Sequence, residues 1–569
     1  MEENIKNAIK LDALKNAVKF SGKCNPKALV GAVIKEFPEA KDSMQDLIKD
    51  INFIAKEINA MSLEDQKSEL LALDSHALDK KPKQEKKDLF RELDNVKKTG
   101  VVMRLSPSPS GPMHIGHVFT GMPTSIYVER YGGKFILRIE DTNPEKIYSA
   151  AYDLLPKDAE WVFGNVTDVW IQSDRMKTYY DYVEKLIRAD AAYVCDCDNE
   201  EFKKMVWDKK PCPCRFLSKG DNLKRWVRML KSSGYKQGEV VLRFKADMEN
   251  KNPALRDFPL ARINEAEHPR QGKKYRVWPL MNLAVTVDDI EAGMTHIIRA
   301  KDHQTNAERQ KMMYDALGIK DFPETQFLGR WNFEGLEISC SKTKEKIDAG
   351  EFTGWDDIRV PFLLALKRRG YQPGAFKTFV KNVGITSTDK KMDGKEFFKA
   401  LDAYNKEIID ATSKRFFFVF NPIEVTIDNA PGEIVELDLH PDTIKGGRKF
   451  ETSDKFLLAK KDVDTFKDGE VVRLMDCLNF KKQDTKYTFD SLDYDVFKAN
   501  GKKIIHWLPN SKDLLDVEVL MPNHTTAKGK AESALAQANV GDIVQFERFG
   551  FCRLDSIDNK IYKFWFAHR

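Results

Sequence analysis

From Arg104 to His117 the chain reads Arg-Leu-Ser-Pro-Ser-Pro-Ser-Gly-Pro-Met-His-Ile-Gly-His. Two histidines three positions apart, behind a run of proline, serine and glycine, could do chemistry on a phosphate. Each imidazole offers an N–H that can follow charge as it develops. The helix expected to start here adds backbone N–H groups, which favour phosphate. The small residues and Gly116 would let a flat ring approach the backbone. Two rival readings remain at this point: a metal site, for which a third ligand is missing, and two surface histidines at a helix cap.

Two other groups stand out. Cys195-Asp-Cys197 and Cys212-Pro-Cys214, fourteen residues apart, place four of the eight cysteines within twenty residues. Four thiols at such spacing suit tetrahedral zinc, against a chance cluster of reduced cysteines. Glu140-Asp141 follows the strand-like run Lys134–Ile139, and the end of a parallel strand is where an open α/β sheet binds ligands.

These groups need elements to hold them. Val101, Val102, Met103 and Leu105 predict a buried strand, and Val118 through Val128 a helix. Asp174–Ala189 and Glu308–Ala316 read as helices, Leu283–Val287 and His296–Arg299 as strands, and Phe327–Ser341 as a strand and loop. Gly354–Gly370, with Ile358, Phe362, Leu363 and Leu366, reads as one helix. Residues 220–275 are mixed and look inserted. Met44, Leu47, Ile48, Ile51, Ile54, Ala55 and Ile58 recur at helical spacing, and Ser62-Leu-Glu-Asp65 is a capping box for the next helix. The Lys80–Lys87 run reads as a solvated linker, with an RNA-contacting arm as the rival. After about residue 418, alternating runs such as Ile423–Ile427, Glu433–Leu439, Val471–Leu474 and Ile543–Phe549 come at barrel spacing.

The 569 residues predict several domains, and 42% hydrophobic content suffices for their cores. No run is long enough to span a bilayer, and the start, Met-Glu-Glu, is not that of a signal peptide. Few, clustered cysteines fit a reducing cytoplasm rather than a disulfide framework. A net charge of +5 permits a nucleic-acid partner through local basic surface only.

The His114–His117 stretch resembles the HIGH signature of class I aminoacyl-tRNA synthetases. That family carries a second lysine loop, KMSKS, to which Ser341-Lys342 is similar, with Cys340 where a smaller residue is usual. Phe135–Pro144 and Val287–Asp302 resemble the glutamyl/glutaminyl branch. An arginine at the position of Arg299 marks its glutamyl members, where it pairs with the substrate side-chain carboxylate. A plain salt bridge to Asp302 is the rival reading of Arg299. Where the family usually carries a pocket tyrosine this chain has Met281. The 437–442, 505–509 and 541–551 segments resemble the barrels of archaeal-type glutamyl enzymes, and 16–19 and 30–33 their helical N-terminal region. Phe549 and Phe551 are candidates to stack on anticodon bases, with core packing as the rival.

The resemblance implies a multidomain α/β protein: a helical extension over 1–97, a Rossmann-type catalytic half over 98–190, an acceptor-stem insertion over 191–280, the second catalytic half over 281–345, a helical stem-contact region over 346–417 and an anticodon-binding β-barrel region over 418–569. It implies activation of glutamate by ATP with magnesium and transfer to tRNA-Glu, and transfer to tRNA-Gln is left open. Pro107, Gly111, His114, Gly116, His117, Ser341 and Lys342 would hold ATP, with His114, His117 and Lys342 catalytic. Arg104, Ser106, Ser108, Glu140 and Arg299 would hold glutamate, and Cys195, Cys197, Cys212 and Cys214 zinc. A cytoplasmic monomer without membrane contact is the family default. Glutaminyl-tRNA synthetase is the runner-up, followed by a small-molecule nucleotidyltransferase and a non-catalytic RNA-binding relative.

Overall fold

Apolar Val101–Leu105 and Phe135–Ile139 are buried along most of their length, as parallel strands covered on both faces must be. In the computed structural model, which describes residues 3–20, 22–74, 77 and 89–569, they form the centre of a parallel sheet. Val101–Leu105 pairs with Gly133–Ile139, which pairs with Asp168–Ile171. A second parallel pair, His296–Ala300 and Glu324–Leu328, is set beside the first strand by the Thr295 N–H, which donates to the Val102 carbonyl at 3.0 Å. The sheet therefore reverses direction of growth between Val101–Leu105 and His296–Ala300. Open α/β sheets bind ligands at the carboxyl edge of such a reversal. Arg104 and Arg299 end these two strands, and Glu140 follows the next one.

Between the two halves runs a four-stranded antiparallel sheet, Ala192–Cys195, Val241–Phe244, Phe258–Ile263 and Val277–Pro279. Its core buries Trp226 and Trp278 against the helices Met176–Arg188 and Lys219–Leu230.

Two sequence expectations fail here. Leu283–Val287 is not a strand but part of the helix Met281–Glu291, whose residues Asn282 through Asp289 are all buried. A helix enclosed on every side shows no amphipathic period, and Val285-Thr286-Val287 then imitates a strand. Gly354–Gly370 is not one helix either. Only Leu363–Arg369 is α-helical, because Pro361 holds the chain extended before it. That extended piece is used: Pro361 O accepts from Ile115 N, and Met113 O accepts from Leu363 N, so it clasps the backbone on both sides of His114.

From Lys414 onward the chain forms two seven-stranded sheets. In the first, the edge strands are Lys414–Phe416 and Phe418–Phe420, consecutive in sequence. In the second, they are Gly501–Ile505 and Leu508–Pro509, again nearly consecutive. One short bend joins the edges of each sheet, so each wraps towards a barrel. Arg368 donates to Asp555 (2.8 and 2.6 Å), and Arg369 donates to the Phe566 and Ala567 carbonyls, tying the helix Leu363–Arg369 to the last strands. Phe551 is fully buried, and Phe549 packs on Phe418 and Phe566; both serve the core.

The first 87 residues form a separate unit. Its helices Glu3–Lys19, Pro26–Glu36, Met44–Asn59 and Leu63–Leu73 bury Ile9, Leu14, Val33, Leu47, Ile51 and Ile58. Ser62 caps the fourth by accepting from Asp65 N. Ile48, expected on the apolar face, is exposed. The Lys80–Lys87 run lies outside the described residues. Among the described residues no helix is long and apolar enough to cross a membrane.

Candidate active site and cysteine cluster

His114 is the N-cap of the helix Ile115–Tyr131. Its Nδ1 accepts the Gly116 N–H at 3.1 Å, and the His117 Nδ1 accepts the His114 N–H at 3.1 Å. A ring nitrogen that accepts from an N–H carries no proton, so this bonding assigns the proton of each neutral imidazole to Nε2. Burial drives the His117 pKa down to about 4, and burial plus the neighbouring His117 drives His114 well down. At neutral pH both rings are uncharged Nε2–H donors, their centroids 4.1 Å apart.

The same bonds correct the expectation of a bare helix N-terminus. The amides of Ile115, Gly116 and His117 are already taken, by Pro361 O, His114 Nδ1 and His114 O. The turn therefore presents imidazole rather than amide donors. Gly116 is small for a related reason: a Cβ there would lie 2.8 Å from His114 Cε1.

The lysine segment packs onto this turn. A Cβ on Gly111 would lie 3.0 Å from Cys340 Sγ, and one on Gly116 3.8 Å from Ile338. Ser341 and Lys342 do not sit in a loop, however. They occupy the first turn of the helix Cys340–Asp348, capped by Ser339. Lys342 is exposed, with Glu337 3.8 Å away.

A cavity of about 170 Å³ opens at the sheet reversal, lined by Arg104, Ser106, Glu140, Met281, Arg299 and His303 among others. A larger cavity of about 700 Å³ lies between the helix Gly394–Ile409 and the barrel region and contains none of these groups. Around the smaller one the charges form a dense web. Arg104 donates to both oxygens of buried Asp289 (2.7 and 3.1 Å) and to Ser106 (3.1 Å). Arg138 bridges Asp289 (2.6 Å) and Glu140 (3.1 Å), and Arg175 donates to Asp288 at 2.7 Å. Pro107 O receives the Glu140 N–H at 3.0 Å, fixing the carboxylate at the rim.

Arg299 is the exception. It is buried, and among the described residues its one hydrogen bond runs from Nη1 to the neutral Gln310 Oε1 at 2.9 Å, while its Nε, like that of Arg138, has no partner. Burial and the nearby Arg104 push its pKa down to about 10. The salt bridge to Asp302 does not form, since Asp302 pairs with Arg330. Within this set, four guanidiniums (Arg104, Arg138, Arg175 and Arg299) face three carboxylates (Glu140, Asp288 and Asp289). Arg299 alone of these guanidiniums has no carboxylate in ion-pair contact, although Asp289 and Glu140 act on it electrostatically.

In the insertion, the four cysteine sulfurs lie within 4.8 Å of one another, with Cys195–Cys212 at 3.8 Å and Cys197–Cys214 at 3.6 Å. A zinc–sulfur bond of about 2.3 Å in a tetrahedron requires sulfurs about 3.8 Å apart. The donor set therefore fits zinc. Tyr193 OH touches Cys212 at 3.4 Å, and Cys214 donates to Asp196. Cys24, Cys477 and Cys552 are buried elsewhere.

Comparison with known proteins follows the same division. The family model "tRNA synthetases class I (E and Q), catalytic domain" matches residues 100–410. The chain belongs to this family. Two anticodon-binding models of the same synthetases match residues 413–495 and 504–555. The glutamate–tRNA ligase of Methanobrevibacter smithii is 40% identical over 560 residues, 98% of each chain. That of Methanocaldococcus jannaschii is 40% identical over 563 residues, 98% of this chain and 99% of its own. Among solved structures, a glutamate tRNA ligase from Elizabethkingia meningosepticum overlays 55% of this chain and 70% of its own, with TM-score 0.39 and 18% identity.

The cavity brings Arg104, Ser106, Glu140 and Arg299 together, while Ser108 is exposed and does not line it. Met281 lines the wall, so an apolar side chain faces the cavity. Sequence reasoning missed Asp289, Arg138, Gln310 and His303. The first two stand inside segments quoted for the resemblance and could have been flagged as charges in otherwise apolar runs. Nothing local marks Gln310.

Proposed function

We propose that this synthetase activates L-glutamate with ATP and transfers the glutamyl group to the 3′ end of tRNA-Glu. The observation that carries this reading is Arg299, a buried guanidinium without a carboxylate. Glutamate bears a side-chain carboxylate to complete its fork, whereas glutamine would leave the charge unpaired. The names of the archaeal relatives agree with it.

In the first step the substrate α-carboxylate oxygen attacks the ATP α-phosphorus in line, and pyrophosphate leaves. In the second the 2′-hydroxyl of the tRNA terminal adenosine attacks the glutamyl carbonyl, and AMP leaves. Glu140 would accept the α-ammonium group, and Arg104 with Ser106 would line the amino-acid end of the cavity. The neutral Nε2–H groups of His114 and His117 would donate to ATP oxygens, and Lys342 would bring positive charge as the α-phosphorus becomes five-coordinate. Pro107, Gly111, Gly116 and Ser341 would shape the nucleotide side, and magnesium would travel with the ATP phosphates. The work is positioning and charge stabilisation, without a protein nucleophile.

Cys195, Cys197, Cys212 and Cys214 would hold zinc. When bound, the ion supplies a crosslink that fixes the insertion tip. The two barrels would read the anticodon. Pyrophosphate exchange in the presence of tRNA, ATP and magnesium tests the central reading: exchange is expected with glutamate and not with glutamine. No exchange with glutamate refutes it. Metal analysis of the purified protein should find about one zinc per chain, lost on replacing Cys212 and Cys214 with serine.

A further inference from the structure

Arg299 does not hold its place unaided. Gln310, itself 2% exposed on the helix Gln304–Ala316, presents Oε1 to Arg299 Nη1 at 2.9 Å. Its amide nitrogen faces Asn282 Oδ1 at 3.5 Å, Asn282 Nδ2 donates to Asn306 at 3.2 Å, and Asn306 meets His303 Nδ1 at 3.2 Å. Every member of this chain from Gln310 to Asn306 is a neutral amide. The contrast with Arg104 is sharp, because Arg104 receives a bidentate carboxylate from Asp289.

We propose that Gln310 is a specificity-determining positioning residue: it aims the Arg299 guanidinium at the cavity with a neutral acceptor, and so keeps its positive charge for the substrate. An amide oxygen satisfies one N–H and fixes the plane of the fork without cancelling the charge. A carboxylate at the same place would form an internal ion pair, and an incoming carboxylate would then meet a neutralised wall. An apolar side chain would leave the charge but release its aim. The inference rests on the reading that glutamate is the substrate, and its test separates the two.

Full-length wild type, Gln310→Glu and Gln310→Met are compared by tRNA-dependent pyrophosphate exchange with glutamate and with glutamine. Gln310→Glu should raise the glutamate KM about 100-fold while kcat changes less than about threefold, and should lower the glutamate-to-glutamine ratio of kcat/KM by a similar factor. Gln310→Met should raise the glutamate KM about tenfold and keep the ratio, since the charge survives. A purely structural role would lower kcat in both variants alike and leave the ratio unmoved; that result overturns the proposal. So does a wild-type glutamate KM in either variant. Should Gln310→Glu fail to fold, the KM of Gln310→Met decides alone. Failure of the wild type to exchange with glutamate is a separate outcome that overturns the function itself.

Discussion

Arg299 in the catalytic region and Arg448 in the barrel region are both buried guanidiniums, and their surroundings are opposite. Arg448 donates Nε and Nη2 to the two oxygens of Glu532, each at 2.8 Å, and Nη1 to Glu547 at 2.7 Å. Its plane stacks over Phe417, the residue at which the first barrel sheet turns from one edge to the other. Glu532 also accepts the Phe417 N–H at 2.6 Å. Everything about Arg448 is satisfied from within, so its charge belongs to the architecture. Arg299 has one neutral partner and an orphaned Nε. A buried charge without a paired counter-charge costs stability, and a ligand that completes it offsets that cost.

The largest expected effect breaks the satisfied side. Glu532→Ala leaves Arg448 with Glu547 alone and the buried Phe417 N–H without its acceptor, and should cost about 3–5 kcal/mol of stability, read by denaturant unfolding, with the glutamate KM of the folded fraction unchanged. On the unsatisfied side, Arg299→Cys should cut glutamate kcat/KM by about 10²–10³ while stability holds or rises, because an unpaired charge leaves the interior. Equal losses of stability at both arginine sites would erase the distinction. His114→Asn retains an N-cap acceptor and deletes the ring N–H, so kcat should fall by about 10² with the helix intact. The smallest effect is in acid. His117 in the histidine turn and His506 in the barrel region both have pKa values lowered to about 4, chiefly by burial. Unfolded, each would titrate near 6.5, so the unfolded chain binds more protons between those values. Their contribution to stability is full above about pH 6.5 and drains as pH falls towards 4. His506→Gln should shift acid unfolding to lower pH without altering exchange at pH 7.

The glycine-rich histidine turn was legible because its chemistry is local: residue types and spacing within fourteen positions define it. Arg299 was legible only through a motif, and its meaning came from partners the motif does not encode. Gln310 lies one helix later, and that its Oε1 rather than a carboxylate meets Arg299 is a fact of packing. Met281–Glu291 was misread because full enclosure removes the period that separates helix from strand. The segment before Leu363 was misread for a different reason. Pro361 ends the helical pattern, but the use of the extended piece, clasping His114, depends on a strand-end two hundred and more positions earlier in the chain. Lys342 was found by order along the chain, while its place in a capped helix rests on Ser339, an ordinary local signal passed over in favour of a loop.

The clasp on His114 has a consequence for synthesis on the ribosome. The helix that follows Pro361 is anchored through Arg368 to Asp555 and through Arg369 to Phe566, partners 187 and 197 residues further along. The histidine turn leaves the exit tunnel well before the strands that brace it. A nascent or truncated chain lacking those strands would carry the whole histidine turn yet lack the anchor of its clasp. A copy without Asp555 and Phe566 would therefore hold the backbone around His114 less firmly than the finished chain does.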